Sequence, residues 1–285
     1  MKPAVALAKW LARTLAIVLL VVIGSTVLVR FAPGYLSDAR EMDPRYADAA
    51  RAELSAEETR SHSLFEMLRS EIAGWSHGDA GLSRQYCVPV FELIKPRLGV
   101  TGNLIVRSLV LAWTLALCAA LISSAGRSPT KLWHIPATLL LAVPTAAMAT
   151  ICLAANGGGP VLVMALLLAA RDFKFLHRTL RKAWLDEHVL QARAQGVGTA
   201  RLLLAHILPG IRSQLTALAS LSIVTALSAL VPVEVIFNVP GLGALAWSAA
   251  MNRDLPVLLS ITTIMALAVT LAGISPDRKA EWETA

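Results

Sequence analysis

Charge is scarce in this chain. Lys, Arg, Asp and Glu make up 16% of its 285 residues, against about a quarter in an ordinary soluble domain, so the composition does not describe a water-facing globule. Cysteine is scarcer, with only Cys87, Cys118 and Cys152. An odd number cannot be fully paired, and the spacing matches no zinc or redox motif. Cys118 and Cys152 fall inside apolar runs, where cysteine usually serves as a small packing residue. No Gly-x4-Gly-Lys-Ser/Thr loop occurs, which excludes that way of cradling nucleotide phosphates. The Gly157–Gly159 run lacks the following Lys and reads as a tight loop. There is no His-Glu-x-x-His and no nucleophile elbow. The six histidines (His62, His77, His134, His177, His188 and His206) are scattered without a metal constellation. No catalytic residue, bound cofactor or metal ligand is therefore expected, and no intrinsic enzyme activity.

What the chain has in excess is apolar surface. Hydrophobic residues make up 56%, and the mean hydropathy is +0.62. They cluster into runs approaching the roughly 20 residues that cross a bilayer as a helix. The expected class is an all-α, polytopic membrane protein of about six transmembrane helices. The net charge of +7 sits beside the apolar runs, as the positive-inside rule predicts. With no aromatic-basic module in sight, nucleic acid is not an expected partner. Lys2, Lys9 and Arg13 precede the first apolar run, Thr14–Val29. A signal peptide would show small residues at a cleavage site, whereas Arg30, Phe31, Ala32 and Pro33 follow. An uncleaved first span is the expectation.

The spans are expected near 10–29, 104–125, 135–155, from Pro160, 211–233 and 256–274. This divides the chain into a first transmembrane helix with a cytoplasmic N-terminus (1–30), an extracytoplasmic segment (31–102) and a core transmembrane domain (103–285). The fourth span is continuously apolar only from Val161 to Ala170. It is extended through "RDFKFLHRTL", with Arg171, Lys174 and Arg178 snorkelling from one helical face. Counting it as a crossing puts the basic loop 171–206, the loop with Arg127 and Lys131, and both termini on the cytoplasmic side. Within the outer segment, Ser55 and Glu58 form a capping box. Leu64, Phe65, Leu68 and Ile72 follow at helical spacing, with Gly74 as a stop.

Between the fourth and fifth runs stands "HVLQARAQGVGTARLLLAHILPG", 188–210, an amphipathic, basic interruption. Asp186 or Glu187 can begin a helix near 187–195, and Gly196 suits the left-handed position that ends it. Thr199 can cap a second helix over about 200–208, with Leu202, Leu203 and Ile207 on its apolar side. Pro209 and Gly210 mark the turn into the fifth span. Helix, glycine elbow, helix makes a stiff knob tied to a span, suited to docking in a partner's groove. An ordinary amphipathic loop lying on lipid headgroups has the same pattern.

The stretch resembles the cytoplasmic coupling motif of bacterial ABC importer permeases. That motif runs approximately Glu-Ala-Ala, three residues, Gly, nine residues, Ile-x-Leu-Pro. Ala192, Gly196, Leu208 and Pro209 fall in register, while Leu190, Gln191 and His206 replace the motif's Glu, Ala and Ile. The run "ARAQG", 192–196, is similar to the Ala-Arg-Ala-Lys-Gly of the dipeptide/oligopeptide branch, with Gln195 departing. "GDAGLSRQYCVPVFELIKPRLGVT", 78–101, resembles that branch's segment before the second span, with Gly99 where Pro is usual. "VEVIFNVPGLGALAWSAAMNRDLPVL", 233–258, resembles its outer segment, through Glu234, Phe237, Pro240, Gly241, Gly243, Arg253, Asp254 and Pro256. "SPDRK", 275–279, is similar to its Asp-Pro-Arg ending. The chain is shorter than such permeases usually are, chiefly around 123–170.

The resemblance implies the permease subunit of an ATP-driven importer in the bacterial inner membrane, carrying peptides or similar small solutes. It implies cytoplasmic ABC ATPase subunits that use the ATP, a second homologous permease, an extracytoplasmic solute-binding protein and the surrounding lipids as partners. Coupling helices of about 184–208 would dock on the ATPase through Glu187, Ala192, Arg193, Ala194, Gly196, Leu208 and Pro209. Nickel or another small solute, or a shortened non-transporting scaffold descended from a permease, are the alternatives.

Residues for a path or outer gate come from the spans. Asn103, Arg107, Thr114 and Cys118 fall within about 60° on the second span, a polar stripe that either faces a wet path or packs on another helix. In the fifth span, Ser213, Thr216 and Ser220 share one face, while Ser222, Thr225 and Ser228 drift to another. Such hydroxyls commonly join helices in lipid. Glu234, after Pro232, is an acid at membrane depth. It either holds an outer gate or pairs structurally, for instance with Arg253. "NVPGLG", 238–243, contains Pro240, Gly241 and Gly243 and reads as a bend at an outer mouth.

Overall fold

The computed structural model describes residues 80–125 (save 84), 130–252 and 254–273, together with scattered positions of the first apolar run between 12 and 27. The capping box at Ser55, the amphipathic stretch 64–74, Arg127, Arg253 and the 275–279 ending lie outside the described residues, as does the side chain of Lys131. The described positions of the first run are helical. Beyond it come α1 (Val90–Ala125), α2 (Thr130–Ala142), α3 (Thr145–Ala154), α4 (Pro160–Ala183) and α5 (Glu187–Ala194). Then follow α6 (Thr199–Leu202), α7 (Arg212–Ile236), α8 (Leu242–Met251) and α9 (Leu255–Ala272). No strand appears among the described residues, only the isolated antiparallel bridge Leu82–Pro89. The all-α membrane class is thus the observed one.

Three helices, α1, α7 and α9, are long and apolar enough to cross a membrane. At 1.5 Å per residue, the 36 residues of α1 extend about 54 Å, nearly twice a bilayer's hydrocarbon core. The span expected over 104–125 is therefore only the second part of a longer rod. The third run, expected as one helix over 135–155, is two. Helices α2 and α3 are bent by 99° around Val143 and Pro144. Proline has no N–H to give and pushes the residue before it out of the helical region. Pro144 itself stands at φ −58° and ψ 143°, outside the helical region, as the residue that starts α3.

The fourth run differs most from its composition. Helix α4 is one continuous helix of 24 residues, begun by Gly159 and Pro160 and closed by Arg181 and Lys182 near its negative end. It is too polar to count as a span by composition. Half its residues are buried, among them Met164, Leu168, Phe173, Leu176 and Leu180. Helices α2, α3 and α7 pack against it, so much of its surface faces protein. It need not be apolar on every side.

The chain divides into two compact units. The first is built on Gly102–Val239, with α4 at its centre. Helix α7 packs on α4 and α3 and buries Leu218, Ser222, Ala226, Leu230, Val233 and Glu234, a stripe at helical spacing. The second is built on the described residues up to Thr101 and on Pro240–Thr270. Its core is Val90, Ile94, Leu242, Leu245, Ala249, Val257 and Ile261.

Candidate functional site

The interruption between α4 and α7 folds as helix, elbow, helix. Helix α5 begins after Asp186 and carries Glu187 in its first turn, where an acid complements the dipole. Only Val189 and Ala192 are buried on it; Glu187, Arg193 and Ala194 are exposed. The helix closes at Gly196, φ +83°. The Gly196 N–H donates to the Arg193 carbonyl (3.0 Å) and the Val197 N–H to the Ala192 carbonyl (3.2 Å). This is the Schellman pairing, which uses a left-handed residue to satisfy carbonyls a helix end leaves over. A Cβ on Gly196 would meet no atom within 4 Å. Glycine is favoured here by the backbone angle and not by crowding within the chain.

The second half departs from expectation in two ways. Gly198, not Thr199, stands at the cap; Thr199 is the first helical residue. The chain also does not turn at Pro209 and Gly210. Helix α6 continues through a π-helical turn, Leu203–Ile207, and a short helical turn, Leu208–Gly210, then bends only at Ile211 before α7. A proline inside a helix clashes with the carbonyl four residues earlier. The wider π turn, immediately before Pro209, spreads the chain where that carbonyl lies. Pro209 is exposed and Leu208 half-buried. From α6 to α7 the chain is thus helical save at Ile211, with Leu202 and Ile207 buried along it and Leu204 exposed.

The first unit also holds polar contacts between helices that sequence reasoning missed in whole or part. Arg171, expected to snorkel outward, donates instead to the Thr225 hydroxyl of α7. Beside it, Asp172 is fully buried and accepts from the Ser222 hydroxyl at 2.7 Å. Asp172 Oδ1 and Arg171 Nη2 are buried with no hydrogen-bond partner. Of the other two cations, Lys174 is half-buried and Arg178 exposed. His177, buried, meets the Ser123 hydroxyl of α1 at 2.8 Å. Its ring stands edge-on to His134 of α2, with centroids 4.8 Å apart. The hydroxyls Ser222 and Thr225 were legible as helix-joining groups. Their acidic and basic partners were not, because a charged residue in a weakly apolar run reads equally well as exposed.

The residues expected along a path are distributed. Asn103, Arg107, Thr114 and Cys118 are all exposed along one face of α1. The opposite face carries Leu104, Ser108, Ala112, Ala116 and Ala120, all buried. The Thr114 hydroxyl is spent on the Val110 carbonyl one turn back, at 2.7 Å. Glu234 is fully buried in the last turns of α7. Its backbone carbonyl takes part in a second Schellman closure, accepting from Val239 N–H at 2.8 Å around Asn238 at φ +51°. In the second unit, Gly241 and Gly243 are buried and Pro240 is exposed. Gly241 stands extended at the start of α8, so the helical run is interrupted within "NVPGLG", as expected.

Two more contacts hold the second unit. The Thr101 hydroxyl accepts the Leu242 N–H at 2.8 Å, capping α8 from a residue 141 positions away in sequence. Asp254, buried, stands where a capping residue would start α9, since its carbonyl accepts from Leu258 N–H. Its carboxylate accepts the Ser83 hydroxyl and the Gln85 N–H. Residues 80–101 and 240–258, which carry parts of two separate stretches of the resemblance, are therefore stitched together in the second unit.

Comparison with known proteins gives a consistent result. The family described as binding-protein-dependent transport system inner membrane component matches residues 109–282. The oligopeptide transport system permease protein AppB of Bacillus subtilis is 26% identical, over 93% of both chains. The glutathione transport system permease protein GsiC of Shigella boydii is 24% identical, over 86% of this chain and 85% of the relative. The metal-staphylopine import system permease protein CntB of Staphylococcus aureus is 32% identical, but over 38% of this chain only.

Proposed function

Because the chain belongs to the binding-protein-dependent transport system inner membrane component family, a family of ABC importer permeases, we propose that it forms the translocation path of an ATP-driven importer for peptides. The family is one of transport proteins and not of enzymes. A multi-pass membrane protein is the plain consequence of that membership and of the apolar helices. Peptides are preferred over a chelated metal because the oligopeptide relative matches over 93% of both chains and the metal-import relative matches little more than a third of this chain.

The elbow is the observation that carries this reading. An exposed helix, α5, is joined through a left-handed glycine to a second helix that runs almost unbroken into the span α7. Such a lever suits the passage of force from a soluble motor into the membrane. In this proposal ATP is bound and split by separate cytoplasmic subunits, which grip the elbow through Glu187, Ala192, Arg193, Ala194 and Gly196. Leu208 and Pro209 sit at the root of the lever. A second permease completes the path, and a binding protein delivers solute on the other side. Asn103, Arg107 and Thr114, exposed in the single subunit, face the path or that second permease. Glu234, Pro240, Gly241 and Gly243 belong to the outer end.

The test is co-purification in mild detergent. An ATPase and a second permease should accompany the chain, and the reconstituted complex should import peptides with ATP. A chain that comes away with neither partner is a membrane scaffold, and the transport reading fails.

A further inference from the structure

Helix α4 ends at Ala183, and only three residues separate it from the start of α5 at Glu187. Helix α7 continues, through the π turn, from α6. Each arm of the elbow therefore leads directly into one helix of the first unit. Those two helices pack against each other and are tied by two side-chain bonds, Ser222 to Asp172 and Arg171 to Thr225.

The arrangement of the bonds matters more than their number. Arg171 and Asp172 are consecutive on α4, about 100° apart around the helix, so they straddle its contact with α7. Ser222 and Thr225 are one turn apart on one face of α7. One bond would leave the helices free to pivot. Two bonds from straddling positions resist both rotation and sliding, because a slip of one residue, about 1.5 Å, misaligns both. The Thr225 hydroxyl donates to the Leu221 carbonyl of its own helix (2.8 Å), which turns its oxygen lone pairs toward Arg171, while the single Ser222 proton is shared between the Leu218 carbonyl (2.9 Å) and Asp172 (2.7 Å). Asp172 is fully buried, and the interhelical contact offers a buried carboxylate few other places to find a donor.

We propose that Asp172, with Arg171, is a positioning residue that makes α4, α7 and the elbow one rigid lever, so that force applied at the elbow moves both helices together. This role rests on the permease reading above. It adds that coupling depends on a contact remote from any docking surface.

The experiment uses the complete importer in proteoliposomes and measures two rates side by side. One is ATP hydrolysis. The other is uptake of isotope-labelled peptides from a mixed protein hydrolysate. Asp172→Ala should leave the complex assembled and hydrolysis within about twofold, while uptake per ATP falls about tenfold. Asp172→Asn, which keeps an oxygen to accept from Ser222, should restore most of it. Uptake and hydrolysis falling together, or Asn failing like Ala, would reduce Asp172 to a packing role and overturn the proposal.

A second arm does not depend on how well Asp172→Ala folds. Asp172→Cys and Ser222→Cys are combined in a chain whose Cys87, Cys118 and Cys152 are replaced by Ser, then joined by a short thiol cross-linker. Helices that move as one body keep or regain uptake when joined. If joining abolishes uptake, the helices slide past one another, with Thr225 and Ser228 as the next hydroxyls in line, and the rigid lever is wrong. A wild-type complex without ATP-driven uptake would remove the permease reading itself, an outcome distinct from either variant result.

Discussion

Replacing Gly196 tests what holds the elbow. Its φ of +83° is a conformation in which an L side chain is strained. An Ala at this site costs about 1–2 kcal/mol in the left-handed region. No contact adds to that, since a Cβ would meet no atom within 4 Å. Asn tolerates the left-handed region better, so Gly196→Asn should cost roughly half as much. The strain falls on the two closing bonds, Gly196 N–H to Arg193 O and Val197 N–H to Ala192 O. About 1–2 kcal/mol corresponds to a local opening equilibrium raised roughly 5- to 30-fold. Hydrogen exchange on the purified chain reads this directly. The amides of residues 196 and 197 should exchange faster by that factor in the Ala variant and by several-fold less in the Asn variant, with α4 and α7 unchanged. Equal exchange in all three proteins would refute the left-handed closure. The same pair of variants separates turn from docking. The first carbon of any side chain there has open space within 4 Å, so a loss of uptake in Gly196→Trp beyond that of Gly196→Ala, with the hydrogen exchange of α4 and α7 unchanged, reports the surface of a partner.

Thr101→Val should lower the thermal unfolding midpoint in detergent, because it leaves the Leu242 N–H unpaired in a buried place, a loss of about 1–3 kcal/mol; Thr101→Ser should not. Asp254→Leu removes the acceptor shared by Ser83 and Gln85 and should cost about 3 kcal/mol, read as faster proteolysis within residues 80–89, while Asp254→Asn should be much milder. Arg193→Cys, in a chain otherwise free of cysteine, should react with a membrane-impermeant thiol reagent in inverted vesicles and not in intact cells. Labelling from outside would place the elbow on the wrong side of the membrane and remove the lever from any cytoplasmic motor.

Much of this protein could be read along the chain because the bilayer imposes a length and a polarity on every crossing helix. The spans ending near Ala125, Ile236 and Ala272 were legible for that reason, and so was the elbow. Gly196 sits between an amphipathic turn and a polar one, and few residues other than glycine end a helix so readily. The hydroxyls of Ser222 and Thr225 were legible as groups that join helices.

Tertiary structure decided the rest, and the cause is the same in each case. Hydropathy records what a side chain would cost in lipid, not which neighbour relieves the cost. Helix α4 could be counted as a crossing only by extending a short apolar run through charged residues, because the sequence does not reveal that α2, α3 and α7 pack against it. Arg171 looks like a snorkelling cation until Thr225 is beside it. Thr101 and Leu242, or Ser83 and Asp254, are far apart in sequence and near only when folded. The π turn before Pro209 depends on how the chain accommodates a proline without breaking the rod. Local pattern determined which segments are helices and where they end. Packing determined which helix lies at the centre, because only a neighbour can satisfy a buried charge.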